Sequence, residues 1–328
     1  MRCTNRNRKL RVVFGDGTLG VHGWTEKEAT FDYLFSYGGG PDSLQIAGKE
    51  WLYRAPKPTF WRALTDNDRG NKLHLRSGMW LAADQFVGFD GMEIYMDGHR
   101  IPLAMAPENN KYTGDESAGW IRCTYHYKTI TVPSTVVDVA YTVEVDGNIK
   151  VEVKYHGKKG LPELPVFGMR FVMPTKAIGF RYEGLSGECY PDRMKGGIPG
   201  IYKVEGLPVT PYLVPQDCGV HMDTKWLEIY RNTTMSNVVQ KGMSVFGIRF
   251  ATPDKEQTFA FSCLPYTAEE LENATHQEEL PPARRTVVSI LGAVRGVGGI
   301  NSWGADVESA YRISAENDIS YTFVITPI

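Results

Sequence analysis

Apolar and polar residues alternate singly over much of the chain, the period of a strand with one face buried. In residues 138–155, DVAYTVEVDGNIKVEVKY, Tyr141, Val143 and Val145 share one face. Ile149, Val151 and Val153 resume the alternation beyond Asp146-Gly147. Asp-Gly between two alternating runs predicts a hairpin closed by a type I′ turn, whose two central residues need positive φ. Ile319, Tyr321, Phe323 and Ile325 alternate in the same way with Ser320, Thr322, Val324 and Thr326. Residues 166–173, VFGMRFVM, read as a strand, as do 9–14 and 44–53, with Gly-rich turns between the last two.

Helix signals are few. Thr267-Ala268-Glu269-Glu270 is a capping box, in which hydroxyl and carboxylate satisfy each other's backbone donors, and it predicts a helix near 267–278. A second short helix is expected at roughly 77–86. Two helices cannot build a βα barrel, which needs eight crossover helices. The expected fold is therefore all-β, a large antiparallel β-sandwich with one or two short helices. No composition break, repeat or low-complexity tract interrupts the 328 residues, so a single domain over 1–328 is expected.

Composition supports a large core. Hydrophobic residues make up 42% and aromatics 12%, which excludes disorder as the main state, and 34 Gly with 19 Pro suit a turn-rich β architecture. Lys+Arg is 36 against Asp+Glu 38, a net charge of −2, so the clustered cationic surplus of a free-standing nucleic-acid binder is missing. No stretch approaches 18 apolar residues, so no membrane span is expected. The five cysteines, Cys3, Cys123, Cys189, Cys218 and Cys263, are odd in number and lack CxxC spacing. Neither a disulfide scaffold nor a zinc site is expected from them, and the seven histidines show no metal-ligand spacing. The apolar run Leu10–Phe14 is too short and too charged for a signal sequence, so the cytoplasm is the expected location. The sequons at Asn232 and Asn273 carry no meaning there.

Three segments bear candidate chemistry. Thr65-Asp66-Asn67-Asp68-Arg69-Gly70 follows the aromatic run Phe60-Trp61-Arg62. It reads either as an Asx-turn loop bonding its own backbone or as a polar loop held at a site by an anchored strand. Gly187-Glu188-Cys189-Tyr190-Pro191-Asp192-Arg193 combines carboxylates, a phenol and a guanidinium, a set that commonly fixes a loop. Trp303 follows the glycine-rich Gly296-Val297-Gly298-Gly299, which lacks the sixth-position Gly and the helix of a dinucleotide fingerprint. Its indole is either a core filler or an exposed platform on which the C–H face of a sugar ring stacks.

Taken together, these blocks resemble the C-terminal portion of the family 2 β-galactosidases. Phe60-Trp61-Arg62-Ala63-Leu64-Thr65-Asp66-Asn67-Asp68-Arg69-Gly70 is similar to the family segment FWRAPTDNDRG, with Leu64 for Pro. Residues 187–193 are similar to PENYPDR, with Gly187 for Pro and Cys189 for Asn. Thr210-Pro211-Tyr212, Pro215-Gln216-Asp217-Cys218-Gly219 and Trp226 are similar to PY…PQENG…RW, from which Asp217 and Cys218 depart. Residues 296–304 are similar to GVGGDDSWG, with Ile300 for the first Asp. With its initiator Met and modest length, the chain resembles the separately encoded small subunit of the two-chain members.

The resemblance implies a supersandwich related to the galactose-mutarotase-like fold. It also implies hydrolysis of terminal β-galactosides such as lactose in company with a β-galactosidase large subunit. The catalytic carboxylates and Mg²⁺ would lie on that partner's βα barrel. This chain would hold no catalytic residue, no metal and no cofactor, and would be inactive alone. Trp303 would contact the sugar, Gly70 would begin a mobile loop running through Asn71 to about Ser77, and Asp66, Asn67, Asp68, Tyr190, Asp192 and Arg193 would form a supporting network. The alternatives are a free-standing aldose epimerase, which needs a His and a Glu placed for proton transfer, and a non-enzymatic carbohydrate-binding module.

Overall fold

The computed structural model describes residues 8–15, 17–103, 116–235, 244–254 and 256–328; Cys3 lies outside them. The described strands form three antiparallel sheets. A ten-stranded sheet runs in the order Pro199–Glu205, Gly179–Leu185, Trp226–Arg231, Phe246–Ala251, Ile319–Pro327, Ile149–Tyr155, Val136–Glu144, Trp120–Lys128, Gly88–Met96 and His99–Ile101. Tyr141 pairs with Val151 and Val151 with Phe323, so these side chains line one face of that sheet. The opposite face carries the polar alternates, where Arg122 pairs with Glu152, and His126 and His156 both bond Asp138.

Two smaller sheets cover the apolar face. A six-stranded sheet built mainly from residues 10–50 packs through Phe35 on Tyr141, ring centroids 6.1 Å apart, and Tyr33 donates to the Gly147 carbonyl at 2.8 Å. A five-stranded sheet comprises Val220–Thr224, Phe259–Leu264, Thr286–Val294, Val166–Met173 and Arg54–Thr59. Phe171 meets Phe250 at 5.3 Å and Phe323 at 6.1 Å. Residues from all three sheets share one continuous apolar core. The all-β antiparallel expectation holds.

The sequence reading needs four local corrections. The 138–155 hairpin is present, but only Gly147 has positive φ. Beyond the Val143–Ile149 pair, Glu144 N donates to Asn148 O, which leaves a three-residue loop, 145–147, and Gly147 N donates back to Glu144 O. That geometry needs one left-handed residue rather than the two of type I′. Residues 44–53 do not form one strand, because Ala47 and Gly48 both take positive φ and turn the chain between Gly40–Ile46 and Lys49–Glu50. Residues 66–85 hold three short helices, α1 (Asp66–Gly70), α2 (Leu73–Ser77) and α3 (Met79–Gln85), where one was expected. The helix opened by Thr267, α4, covers only Ala268–Asn273, with a single 3₁₀ turn at Gln277–Glu279.

Candidate functional site

The strand Arg54–Thr59 delivers the chain to one end of the five-stranded sheet. Phe60 stacks on Trp80 of α3 at 5.5 Å and packs at a tilt against Phe167 at 5.9 Å. The buried Asp84 carboxylate accepts from Thr59 Oγ1 at 2.5 Å, Phe60 N at 2.7 Å and Trp61 N at 3.2 Å, and it ion-pairs with Arg170. The exit from the strand is thus fixed by packing and by charge-assisted hydrogen bonds.

Thr65 then caps α1. Its hydroxyl accepts from Asp68 N at 3.2 Å, and Asp68 Oδ2 accepts from Thr65 N at 3.0 Å. The segment is a capped helix, not the Asx-turn loop considered above. Asp68 has a second task. Fully buried, it faces Arg62 at 2.8 Å and Arg295 at 3.3 Å, and both guanidinium groups are buried. A buried carboxylate is tolerable only with such partners.

The loop that carries Trp303 lies along one side of α1. Asn67 Nδ2 donates to Val297 O at 3.0 Å, and Gly299, at φ +77°, passes so close to Asn67 that a Cβ would fall 2.7 Å from its Nδ2. One turn further on, Gly304 sits against Gly70. Asp192 receives Val297 N at 3.0 Å and Gly298 N at 2.8 Å, while Arg193 donates to Gly298 O. Asn301 Oδ1 gathers Trp303 N at 2.9 Å and Ala305 N at 3.2 Å. Above this scaffold Trp303 is 91% exposed, so it is no core filler.

Tyr190 is buried and donates to Asp217 at 2.8 Å; Gln216 Oε1 accepts Asp66 N at 2.8 Å. Burial pushes the Asp217 carboxyl up to about 6, against the pull of Arg62 and of the Tyr190 hydroxyl. The cavity beside it measures about 30 Å³, room for water but not for a sugar ring. Asp66, Asn67, Asp68, Tyr190, Asp192 and Arg193 therefore meet around α1 and the Trp303 loop.

Gly70 and its neighbours do not match the expected loop. Gly70 is the last residue of α1 and has no left-handed φ, and residues 73–77 are helical rather than loop. The left-handed residue is Lys72, at φ +62°. Three departures from the resembled pattern have local reasons. Leu64, unlike proline, donates its amide to Glu272 at 2.6 Å. Gly187 takes φ +67°, closed to proline. Cys218 is fully buried against Ala63, Leu264 and Leu271, where a thiol behaves as a small apolar group.

Sequence reasoning missed the charges that bracket the Trp303 loop. Arg295, fully buried, pairs with Glu163 at 3.3 Å and with Asp306, and Asp306 also binds Arg76 at 2.7 Å and Arg312 at 3.3 Å. Burial opposes the charge on Asp306, but Arg295 and the Val307 amide hold its carboxyl below the usual range. The available signal was an arginine just before the glycine block and an aspartate just after the tryptophan.

Chemically, this end of the molecule is an exposed indole on a rigid base. Asp68, Asp192 and Asp306 are each engaged in holding backbone or guanidinium groups. Among the described residues no group of three His, Cys, Asp or Glu side chains is arranged to hold a metal ion. No helix of the described residues is long and apolar enough to cross a membrane. Among the described residues, no histidine is paired with a carboxylate beside the Trp303 loop. His22 bonds Asp32, His126 and His156 share Asp138, His276 bonds Glu279, and His221 stacks on Phe261 at 4.7 Å.

Residues 27–325 match the family model described as the β-galactosidase small chain. Over 323 residues the chain is 61% identical to the β-galactosidase small subunit of Latilactobacillus sakei, covering 98% of this chain and 99% of that one. Over 331 residues it is 32% identical to a β-galactosidase of Halalkalibacterium halodurans, covering 99% of this chain but only 29% of the relative. A solved putative aldose 1-epimerase from Escherichia coli K12 aligns over 97% of this chain and 98% of its own, with TM-score 0.41 and 8% identity.

Proposed function

Because the chain belongs to the β-galactosidase small-chain family, we propose that it completes the galactoside pocket of a two-chain glycoside hydrolase by projecting Trp303 onto the bound sugar. The observation that carries this reading is the 91% exposure of Trp303 on a loop anchored at Gly299, Gly298 and Gly304. A singly exposed apolar side chain is ordinary on a protein surface; what suits Trp303 to stacking is its seat on a loop pinned by Asp192 and Arg193.

In this reading the large chain, a family 2 βα barrel, supplies the two carboxyl groups, which a retaining glycosidase needs about 5–5.5 Å apart. Mg²⁺ also belongs to the partner. This chain stacks the sugar, narrows the pocket and excludes water from one side. The substrates are terminal β-galactosides such as lactose, and the assembly works in the cytoplasm, in keeping with four buried free thiols among the described residues. The histidine placements favour this reading over an epimerase. A free-standing carbohydrate-binding module differs from it in needing no partner.

The test is Trp303→Ala in the assembled enzyme. Loss of the stacking indole is expected to raise KM for lactose about three- to tenfold and to shift the balance between hydrolysis and transfer to sugar acceptors. Unchanged KM, kcat and product balance would refute the role of Trp303.

A further inference from the structure

Arg295 and Asp306 stand at the two ends of the ten-residue loop 296–305, and their side chains form an ion pair across its base. The pair is built in rather than laid on the surface. Arg295 is fully buried, and its other nitrogens reach Asp68 of α1 and Glu163. Beside Asp306, Val307 is 1% exposed, and its side chain fills the space under Gly296, where a Cβ would meet it at 2.7 Å. Asp306 Oδ1 also accepts Val307 N at 2.8 Å, which fixes the carboxylate to the backbone it restrains. Arg76 of α2 reaches the other oxygen at 2.7 Å.

We propose that Arg295 and Asp306 are positioning residues, a clasp that closes the base of the Trp303 loop and sets where the indole stands over the sugar. Asp68 ties the clasp to α1. The inference rests on Trp303 being the sugar platform. Neither clasp residue touches substrate, and both act through the loop. A loop closed by a fully buried arginine and a half-buried aspartate, and straddling α1 at Asn67 and Gly70, has little freedom to tilt.

The experiment is a double-mutant cycle in the assembled two-chain enzyme, with nitrophenyl galactoside and lactose as probes. Asp306→Asn keeps an acceptor for Val307 N but removes the charge. It is expected to raise KM about threefold or more with kcat within about twofold, and to shift the hydrolysis-to-transfer balance in the direction Trp303→Ala does. In the Trp303→Ala background it should add nothing. If Asp306→Asn leaves KM unchanged, or multiplies it equally in both backgrounds, the clasp is refuted while the platform stands. If Trp303→Ala alone has no effect, the platform reading fails first. Should Asp306→Asn not assemble, Asp306→Glu, which keeps the charge but lengthens the arm of the clasp by one methylene, is scored by the same criteria and with the same refuting results.

Discussion

Gly304 is packed directly onto Gly70. A Cβ on Gly304 would meet the Gly70 carbonyl oxygen at 2.9 Å, and Gly304 already sits at φ +78°. The relationship is one-sided. A Cβ on Gly70 would meet only Gly304 Cα, at 3.8 Å, an ordinary contact. Gly304→Ala is therefore expected to destabilise the loop by about 1–3 kcal/mol and to weaken sugar binding in the assembled enzyme. Gly70→Ala should keep the parent's Tm. Thermal unfolding of the two variants side by side checks this, and equal losses would contradict it.

Asp68 is both the capping carboxylate of α1 and the counter-ion of two buried arginines. Asp68→Ala strands Arg62, whose ion-pair partner among the described residues is Asp68, while Arg295 keeps Glu163 and Asp306; the expected cost is about 3–5 kcal/mol, since breaking a buried pair leaves charge uncompensated. Thr65→Ala removes only the capping hydroxyl and should cost about 1 kcal/mol. Urea unfolding of the isolated chain measures both, and similar values for the two would argue against the buried triad.

Acid stability should show two opposed contributions. The Asp217 carboxyl is pushed up to about 6 by burial, so its contribution is complete below about 4 and is lost as pH rises through 6. The His221 imidazole is pushed down to about 4 by burial, so its contribution is complete above 6.5 and is lost as pH falls through 4. Between pH 4 and 6.5 the two slopes partly cancel. Relative to the parent, Asp217→Asn should lose stability more steeply on acidification, and His221→Phe less steeply. Unfolding midpoints at several pH values across that window test the signs.

The alternating runs at 138–155 and 319–326 were legible because each has one face against a core, which single-residue periodicity reports directly, whereas 166–173, buried on both faces, was legible as a short, almost wholly apolar run. The 65–70 helix was not, although Thr65-Asp66-Asn67-Asp68 repeats the capping pattern read at Thr267–Glu270 with a shorter carboxylate. A five-residue helix has too few turns to show a 3.6-residue period. The four blocks around the site were legible as resemblances, and the structure brings them to one end of the molecule. Arg295 and Asp306 were not, because opposite charges at the two ends of one loop fit no helix or strand period. Their roles come from a pairing across a loop and from contacts with Glu163 and Asp68, 132 and 227 residues away.

The account is tested most directly by assaying nitrophenyl-galactoside and lactose hydrolysis with this chain alone, with the large chain alone and with both together. Turnover is expected only, or overwhelmingly, in the mixture, in step with complex formation by size exclusion. Sustained lactose hydrolysis by this chain alone would contradict it.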